Sequence, residues 1–175
     1  MNTRVYLVVG LCAVLALGGC KRRPSASDAP KEEPVELLSV LQADDPKAAV
    51  QFAHGFYGLE GNNWRWTAAK FGVVLAPPAG GADRGARLEL KFTIPAVIFD
   101  RLGPATLSVT VNGVALSPET YSKSGEYSYV RDVNGDVFAG GPVTIEFQCD
   151  KALPPENGDN RELSLIVTSI GLAAK

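Results

Sequence analysis

Apolar and polar residues alternate with a period of two in several short segments, which is the pattern of β-strands with one buried face. The clearest case is residues 86–95, where Leu88, Leu90 and Phe92 alternate with charged residues. Further strands are predicted at residues 70–76, 106–111, 114–116, 126–132, 143–149 and 162–172. The chain is therefore expected to contain about seven or eight strands.

Turn residues connect these segments. Asn112-Gly113 between two apolar runs predicts a type I′ hairpin. The loop at residues 77–85 is rich in proline and glycine and is expected to join segments 70–76 and 86–95 as a second hairpin. In the last segment, the apolar position shifts between Val167 and Ile170, which predicts a β-bulge.

One short helix is predicted near the start of the body. Asp44 and Asp45 precede Pro46, which together are the signals of a helix start, and good helix formers follow until Gly55, which is a signal of a helix end. A helix is therefore predicted over residues 47–54. This helix would place Val50 and His54 on one face. The apolar residues 35–41 fit either a short helix or a docking strand.

These elements predict the fold class. The chain has 18 glycines and 12 prolines among 175 residues, as expected for many tight turns. We expect an all-β domain, an antiparallel β-sandwich of jelly-roll type with one short N-terminal helix. The Cys…Trp…Cys spacing of immunoglobulin domains is missing from the sequence.

The N-terminal segment has the composition of an export signal. Arg4 precedes an apolar run and small residues, as in secretory signal peptides. Its end, Leu17-Gly18-Gly19-Cys20, resembles the lipobox of bacterial lipoproteins. The resemblance implies cleavage before Cys20 and acylation of its thiol, which would anchor the protein to a membrane. Lys21 is not the Asp of inner-membrane retention, so the outer membrane is expected if the organism has one.

The chain is thereby divided into three parts. Residues 1–19 are the predicted lipoprotein signal peptide, and residues 20–43 are the lipidated cysteine and a flexible tether. The tether is polar and punctuated by proline, with nothing to bury. Residues 44–175 are the predicted β-sandwich domain, of ordinary domain size.

Charge and composition exclude several functions. The formal net charge is −2, and no basic stripe suited to a nucleic acid is present in the sequence. His54 is the one histidine, Cys149 is the one cysteine beyond Cys20, and metalloprotease, serine-hydrolase and phosphate-loop motifs are missing. We therefore predict no enzyme, with paired carboxylates left as the remote alternative.

Two polar loops contain oxygen-bearing side chains of the kind that bind calcium. Residues 132–136, Asp-Val-Asn-Gly-Asp, begin like a calcium loop, but Val143 stands where the bidentate Glu is needed. An Asn-Gly turn explains them better. A structural calcium shared with the loop at residues 154–161 is a minor alternative, and otherwise no cofactor is expected.

Residues 55–67 concentrate both tryptophans with other aromatic residues and charges. Trp64 and Trp66 would share one face of a strand. Aromatic rings beside polar groups can bind sugars, which have apolar C–H faces. The candidate ligand-binding residues are Phe56, Tyr57, Trp64, Tyr127 and Tyr129. For Trp64, a core position that covers the helix is the alternative. Glu60, Arg65 and Trp66 are predicted to be structural, with a Glu60–Arg65 ion pair and Trp66 in the core.

The same stretch resembles an element of bacterial jelly-roll modules attached to glycosyltransferases and envelope polysaccharide proteins. That element has Gly, an aromatic residue and Glu, followed after a short gap by Arg-Trp-Thr/Ser. Glu60, Arg65, Trp66 and Thr67 match it. The resemblance implies carbohydrate-linked work, although no enzyme is fused to this chain.

The predicted function is a lipid-anchored, non-catalytic binding module of the cell envelope, with carbohydrate as the first ligand. The alternative is a structural or assembly lipoprotein that binds another envelope protein. A glycan module predicts exposed aromatic rings near a groove, whereas an assembly protein predicts a flat apolar patch.

Overall fold

The structure is a computed structural model that describes residues 36–175. The predicted signal peptide, Cys20 and the tether up to residue 35 lie outside the described residues. The described part contains ten strands. They are β1 (Val40–Gln42), β2 (Phe52–Glu60), β3 (Trp64–Leu75), β4 (Ala86–Ile94), β5 (Ala105–Val111), β6 (Val114–Ala115), β7 (Glu119–Tyr121), β8 (Gly125–Val133), β9 (Val143–Cys149) and β10 (Ile166–Ala174).

The strands form a curled antiparallel sheet in the order β6-β5-β9-β3-β10-β4-β8. Strands β1, β2 and β7 pair with β10, β3 and β5, respectively. The curled sheet has two layers, and strand β3 belongs to both. Residues 70–75 of β3 pair with β9, whereas Arg65 and Trp66 pair with β10. The predicted all-β, jelly-roll-like antiparallel sandwich is confirmed.

The crossing of β3 from one layer to the other is held by the chain just before β10. Thr67 donates its N–H to the Leu165 carbonyl at 2.8 Å and accepts from the Ser164 N–H at 2.8 Å. The Ala69 N–H donates to Glu162 Oε2 at 2.9 Å. These bonds satisfy backbone groups of β3 between its two strand partners.

The core lies between the layers and is filled by the inward residues of the alternating strands. Phe71 of β3 and Phe147 of β9 stack with their ring centroids 4.9 Å apart. Leu88, Leu90 and Phe92 of β4 are buried, as the sequence pattern predicted. Each buried side chain of this size contributes about 2 kcal/mol of hydrophobic stabilisation.

Several local predictions are confirmed. Asn112 and Gly113 have φ angles of 47° and 82°, the positive values that a type I′ turn requires, and they join β5 to β6. Strand β9 has the predicted bounds. The predicted bulge in β10 appears as a register shift between Val167 and Ser169.

The hairpin predicted between residues 70–76 and 86–95 is wrong. Both edges of β3 are occupied by β2 and by β9 and β10, whereas β4 lies between β10 and β8. The intervening loop contains the short helix α1 (Gly81–Arg84), and a second unpredicted helix, α2 (Ala96–Leu102), follows β4. Within the described residues, no helix has both the length and the apolar character needed to cross a membrane.

The predicted N-terminal helix is shorter than expected. It is a 3₁₀ helix at Pro46–Gln51, capped by the Asp45 side chain, which accepts from the Lys47 N–H at 2.8 Å. The buried Gln51 side chain ends it, because its amide nitrogen donates to the Leu38 and Val74 carbonyls at 2.9 and 2.7 Å. His54 therefore lies in β2, and its predicted helical pairing with Val50 is wrong.

The folded domain begins before the predicted boundary at residue 44. Residues 40–42 form β1 and pair with β10, with Leu41 opposite Ile170 and fully buried. The sequence of residues 35–41 fits either a short helix or a docking strand. The structure has the strand, at the C-terminal end of this segment.

Candidate functional site

The β2–β3 hairpin carries both tryptophans on its outer face. Thr67 and Phe71 of β3 are buried, so Trp64 and Trp66 point outward, and both are partly exposed. Their ring centroids are 6.3 Å apart at an interplanar angle of 79°. The prediction that the two indoles share a face is confirmed. The prediction that Trp66 lies in the core is wrong, because the inward positions belong to the residues of opposite parity.

The position of Trp64 is fixed by the turn that precedes β3. Its indole packs against Gly61, where any side chain would collide with the ring nitrogen. Gly61 also has a φ of 55°, which favours glycine. The exposed residues Asn62 and Asn63 complete the turn beside the indoles.

Tyr57 lies at the side of the hairpin and is partly covered. Its hydroxyl oxygen accepts from the Glu162 N–H at 3.1 Å. The Arg161 guanidinium lies over the ring, 5.3 Å from its centroid. One face of the phenol is therefore occupied by a cation from the chain before β10.

Arg161 connects this loop to the hairpin. Its Nη1 donates to Glu60 at 2.6 Å, and its Nη2 donates to Asp159 at 2.8 Å. Hydrogen bonds from Arg161 lower the pKa of the Asp159 carboxyl, and the bonds to Asp159 and Glu60 raise the pKa of Arg161. The predicted Glu60–Arg65 ion pair is wrong, because Glu60 faces Arg161.

Arg65 instead points toward the interior. Its Nε donates to the Ala43 carbonyl at 2.9 Å, and its Nη1 donates to the Tyr57 carbonyl at 3.1 Å. Its guanidinium lies 5.0 Å from the centroid of the Phe52 ring. Glu60 and Arg65 thus both connect separate parts of the fold. Glu60 does so through Arg161 rather than Arg65, and Arg65 through the Ala43 and Tyr57 carbonyls rather than Glu60.

Two further candidate residues, Phe56 and Tyr129, are not part of the hairpin surface. Phe56 packs against Phe52 and Phe71, with centroid distances of 4.8 and 5.3 Å, so its ring belongs to the edge of the core. Tyr129 is fully buried and donates to the Ser117 carbonyl at 2.8 Å. Tyr129 is therefore inaccessible to a ligand, and Phe56 is half-buried with its ring directed at the core.

Tyr127 is the remaining candidate and lies on β8, away from the hairpin in the strand order. It is half-buried against Tyr121, with ring centroids 4.5 Å apart, and its hydroxyl donates to the Lys123 carbonyl at 3.1 Å. It also lines a polar depression of about 340 Å³ between β4 and β8. The structure thus places Tyr57 and Trp64 on the same hairpin, in contact with different residues, and leaves Tyr127 elsewhere.

A polar group missed by the sequence reasoning lies on the outer face of β3 and β9. His54 Nε2 and Glu146 Oε2 are 2.8 Å apart, across the strand that contains Gly72. They line an open depression of about 250 Å³ together with Lys70 and Gln148. The one signal in the sequence was a glycine inside a strand, which marks a close approach.

Three of the four carboxylates in the two candidate calcium loops, residues 132–136 and 154–161, are paired with bases. Asp132 lies 2.9 Å from Lys175, Glu156 pairs with Arg101, and Asp159 pairs with Arg161. Within residues 36–175, no three His, Cys, Asp or Glu side chains converge on a metal position. Cys149 is buried, and its burial raises the pKa of the thiol.

No protein-family model and no curated protein sequence matches this chain. Among solved structures, it is similar to a family 35 carbohydrate-binding module from Clostridium thermocellum, with 14% identity, a TM-score of 0.42, and coverage of 77% of this chain and 98% of that one. It is also similar to the carbohydrate-binding module CBM36 in complex with calcium and xylotriose, with 11% identity, a TM-score of 0.40, and coverage of 78% and 100%. These similarities concern the fold alone.

A third similar structure is an acetyl xylan esterase, Est2A, from the rumen bacterium Butyrivibrio proteoclasticus. The identity is 10%, the TM-score is 0.43, and the match covers 80% of this chain but 34% of the esterase. The present chain thus corresponds to about a third of that protein.

Proposed function

We propose that this protein is a non-catalytic carbohydrate-binding module held at the cell envelope by a lipid on Cys20. The observation that supports it best is the outward position of both Trp64 and Trp66. Indole rings on the solvent side of a sheet leave apolar surface in water unless a ligand covers it. Pyranose rings have apolar C–H faces that stack on such surfaces.

The indoles are held in place before any ligand arrives. Trp64 is fixed against Gly61 and by the edge of Trp66, and the hairpin end is held by the Glu60–Arg161 contact. A platform that is already ordered loses little conformational entropy on binding, which favours affinity. The exposed amides of Asn62 and Asn63 can then bond to sugar hydroxyls at the edge of the rings.

The charges near the indoles favour binding over catalysis. Glu60 and Asp159 both accept hydrogen bonds from Arg161. A glycoside hydrolase needs one carboxyl that is protonated at the working pH and a second that is free to act as nucleophile or base. The pKa of Asp159 is lowered by Arg161, which is the opposite of what a general acid requires.

A flat apolar patch, which the alternative assembly function requires, has little support. Within the described residues, the exposed large apolar side chains come from different elements. They are Val40, Val50, Leu59, Val97, Val114 and Val130. Isolated exposed apolar residues are ordinary on protein surfaces.

A glycan array tests the carbohydrate proposal, using the chain from Val35 onward, which forms a compact unit of its own. We expect selective binding of at least one glycan class, and loss of that binding in Trp64→Ala and Trp66→Ala. Val114→Ala removes an exposed apolar side chain elsewhere and should bind normally. If no glycan binds and a stable envelope protein co-purifies, the assembly function replaces this proposal.

The anchor is tested separately in the full chain. Cys20→Ser should move the protein from the membrane fraction to the soluble fraction, because stable anchoring needs acyl chains. Cys149→Ser serves as the matched control and should leave the protein on the membrane. Membrane association that survives Cys20→Ser would overturn the lipid anchor without bearing on glycan binding.

A further inference from the structure

The two indoles form a corner and not a flat platform. The planes of Trp64 and Trp66 meet at 79°, and the ring centroids are 6.3 Å apart in an edge-to-face contact. A flat ligand that stacks on one indole therefore stands nearly perpendicular to the other. One ring is the floor of this indole corner and the other is its wall. A ligand that contacts both must have two apolar surfaces about at right angles.

An aliphatic side chain lies beside the indole corner. Ile166 of β10 is the register partner of Trp66. Opposite residues of an antiparallel pair lie on the same face, with their Cβ atoms about 5 Å apart. The next residue, Val167, is buried, so Ile166 lies on the outward face, and it is partly exposed. The apolar surface of the corner therefore continues from Trp66 to Ile166.

The charges beside the corner disfavour an acidic sugar. Glu60 is the register partner of Trp64. The carboxylates of Glu60 and Asp159 both accept hydrogen bonds from the Arg161 guanidinium. Two negative groups thus face one positive group, which leaves a local net charge of −1 and repels a ligand carboxylate. The ligand class that fits is neutral.

Most pyranose rings have only one apolar surface suited to such a corner. Their C–H face can stack on the floor, but their edge carries hydroxyl groups, which lose water against the wall without gaining a hydrogen bond. A methyl group at the edge removes this cost and adds buried apolar surface. In 6-deoxyhexoses this methyl is attached to the ring carbon C5, and in N-acetylhexosamines it ends the acetamido group.

We infer that the corner formed by Trp64, Trp66 and Ile166 binds a neutral sugar that carries a methyl group at its edge, either a 6-deoxyhexose or an N-acetylhexosamine. The C–H face of the sugar stacks on one indole, and the methyl group packs against the other indole and Ile166. This inference rests on the proposed carbohydrate-binding function and specifies the class of sugar.

The first experiment is a glycan array with the chain from Val35 onward. Every glycan that binds strongly should contain a 6-deoxyhexose or an N-acetylhexosamine, whereas cello-, xylo- and manno-oligosaccharides should not bind. Insoluble cellulose should not bind either, because two rings at 79° cannot both lie on a flat surface.

The second experiment compares free sugars as competitors of the strongest array ligand. L-Fucose is compared with L-galactose, and L-rhamnose with L-mannose, because the members of each pair differ only by the hydroxyl group on C6. N-Acetylglucosamine is compared with glucose. In at least one pair, the methyl-bearing sugar should compete about tenfold or more strongly, which is the discrimination of an apolar pocket against an added hydroxyl group. The pair that responds identifies the source of the methyl group.

Substitutions assign this preference to the corner. Trp64→Ala and Trp66→Ala should abolish binding. Ile166→Thr keeps a β-branched side chain in the strand and should reduce the preference within the responding pair by about threefold or more, as loss of part of the apolar surface requires. Val130→Thr makes a similar change at an exposed position of β8 and should leave the preference unchanged.

The outcomes separate this inference from the proposed function. If the array glycans that bind lack both sugar types, or if all three pairs compete equally, the methyl specificity is overturned while carbohydrate binding stands. Stronger competition by glucuronic acid than by any of these sugars would overturn the neutral class. An unchanged preference in Ile166→Thr would remove Ile166 from the site. If no glycan binds at all, the proposed function itself is overturned.

Discussion

Arg161 and Glu60 lie 2.6 Å apart, nitrogen to oxygen, and join the loop before β10 to the last residue of β2. Glu60 pairs in register with Trp64, so this contact holds the end of the hairpin that bears the indoles. The two residues are 101 positions apart in the sequence. The geometry of the proposed platform therefore depends on a contact between distant parts of the chain.

We expect a modest coupling free energy between Glu60 and Arg161. A double-mutant cycle with Glu60→Gln and Arg161→Met, measured by urea unfolding, should give about 0.5–1 kcal/mol, because both side chains remain about a third exposed. Arg87 and Asp132 form the control pair, at 3.8 Å with both side chains more than half exposed, and should show no coupling. Equal coupling in the two pairs would contradict the role assigned to Arg161.

The stability of the domain should fall in acid. Hydrogen bonds from Arg161, Lys175 and Arg101 lower the pKa values of Asp159, Asp132 and Glu156, respectively. A carboxyl with a lowered pKa in the folded state binds its proton more readily after unfolding, so its stabilisation is present above the ordinary pKa and is lost as the pH falls through the folded value. The free energy of unfolding should therefore decrease below about pH 4.

The contribution of Asp159 to this decrease can be isolated. Arg161→Gln removes the main cause of its lowered pKa, so the variant should lose less stability than the wild type over the same acid range. The measurement is urea unfolding at a series of pH values. An unchanged acid slope in the variant would show that Asp159 is not held by Arg161 in solution.

Gly55 should be far less tolerant of substitution than Gly58, although both lie in β2. Gly55 has a φ of 73°, and its Cβ would meet the Lys70 carbonyl and lie 2.7 Å from Phe71 Cα. Gly55→Ala should lower the free energy of unfolding by about 2 kcal/mol or more, because the backbone must move. Gly58→Ala has open space and should change it by about 0.5 kcal/mol or less. Similar effects of the two variants would contradict the bulged pairing of β2 with β3.

The parts of the fold that depend on local patterns were predictable. The alternation in β4 and β9, and the positive φ angles demanded by Asn112-Gly113, are properties of neighbouring residues. Strand pairing is not a property of neighbouring residues, which is why the hairpin predicted between β3 and β4 is wrong. The helix expected to reach His54 failed because the buried Gln51 amide bonds to Leu38 and Val74, distant contacts that override helix propensity.

In the candidate site, too, the features that depend on local sequence patterns were predictable and the contacts between distant residues were not. The shared face of Trp64 and Trp66 followed from strand periodicity, and their outward direction could have been deduced from the apolar parity of Phe71, Val73 and Leu75. The partners of Glu60 and His54 could not have been deduced in this way. Arg161 is 101 residues from Glu60, and Glu146 is 92 residues from His54. Contacts of that separation are set by topology, which the alternation alone does not determine.

Tyr121 should tolerate loss of its hydroxyl better than Tyr129. Tyr121 Oη is buried without a hydrogen-bond partner in the described part of the chain, and burial raises the pKa of its phenol. Tyr121→Phe should leave the free energy of unfolding unchanged or raise it by about 1 kcal/mol. Tyr129→Phe loses a bond to the Ser117 carbonyl and should lower it by about 1 kcal/mol. The reverse order in chemical denaturation would contradict these environments.

The outward position of the indoles can be tested without knowing the ligand. Trp64→Phe and Trp66→Phe each leave one tryptophan as the fluorophore, because the chain has two. Since both rings are partly exposed, acrylamide should quench the emission of each folded variant, whereas an indole in the core would be protected. A glycan that binds the platform should reduce quenching in both variants. Protection of Trp66 before any glycan is added would place it in the core after all and remove one half of the proposed platform.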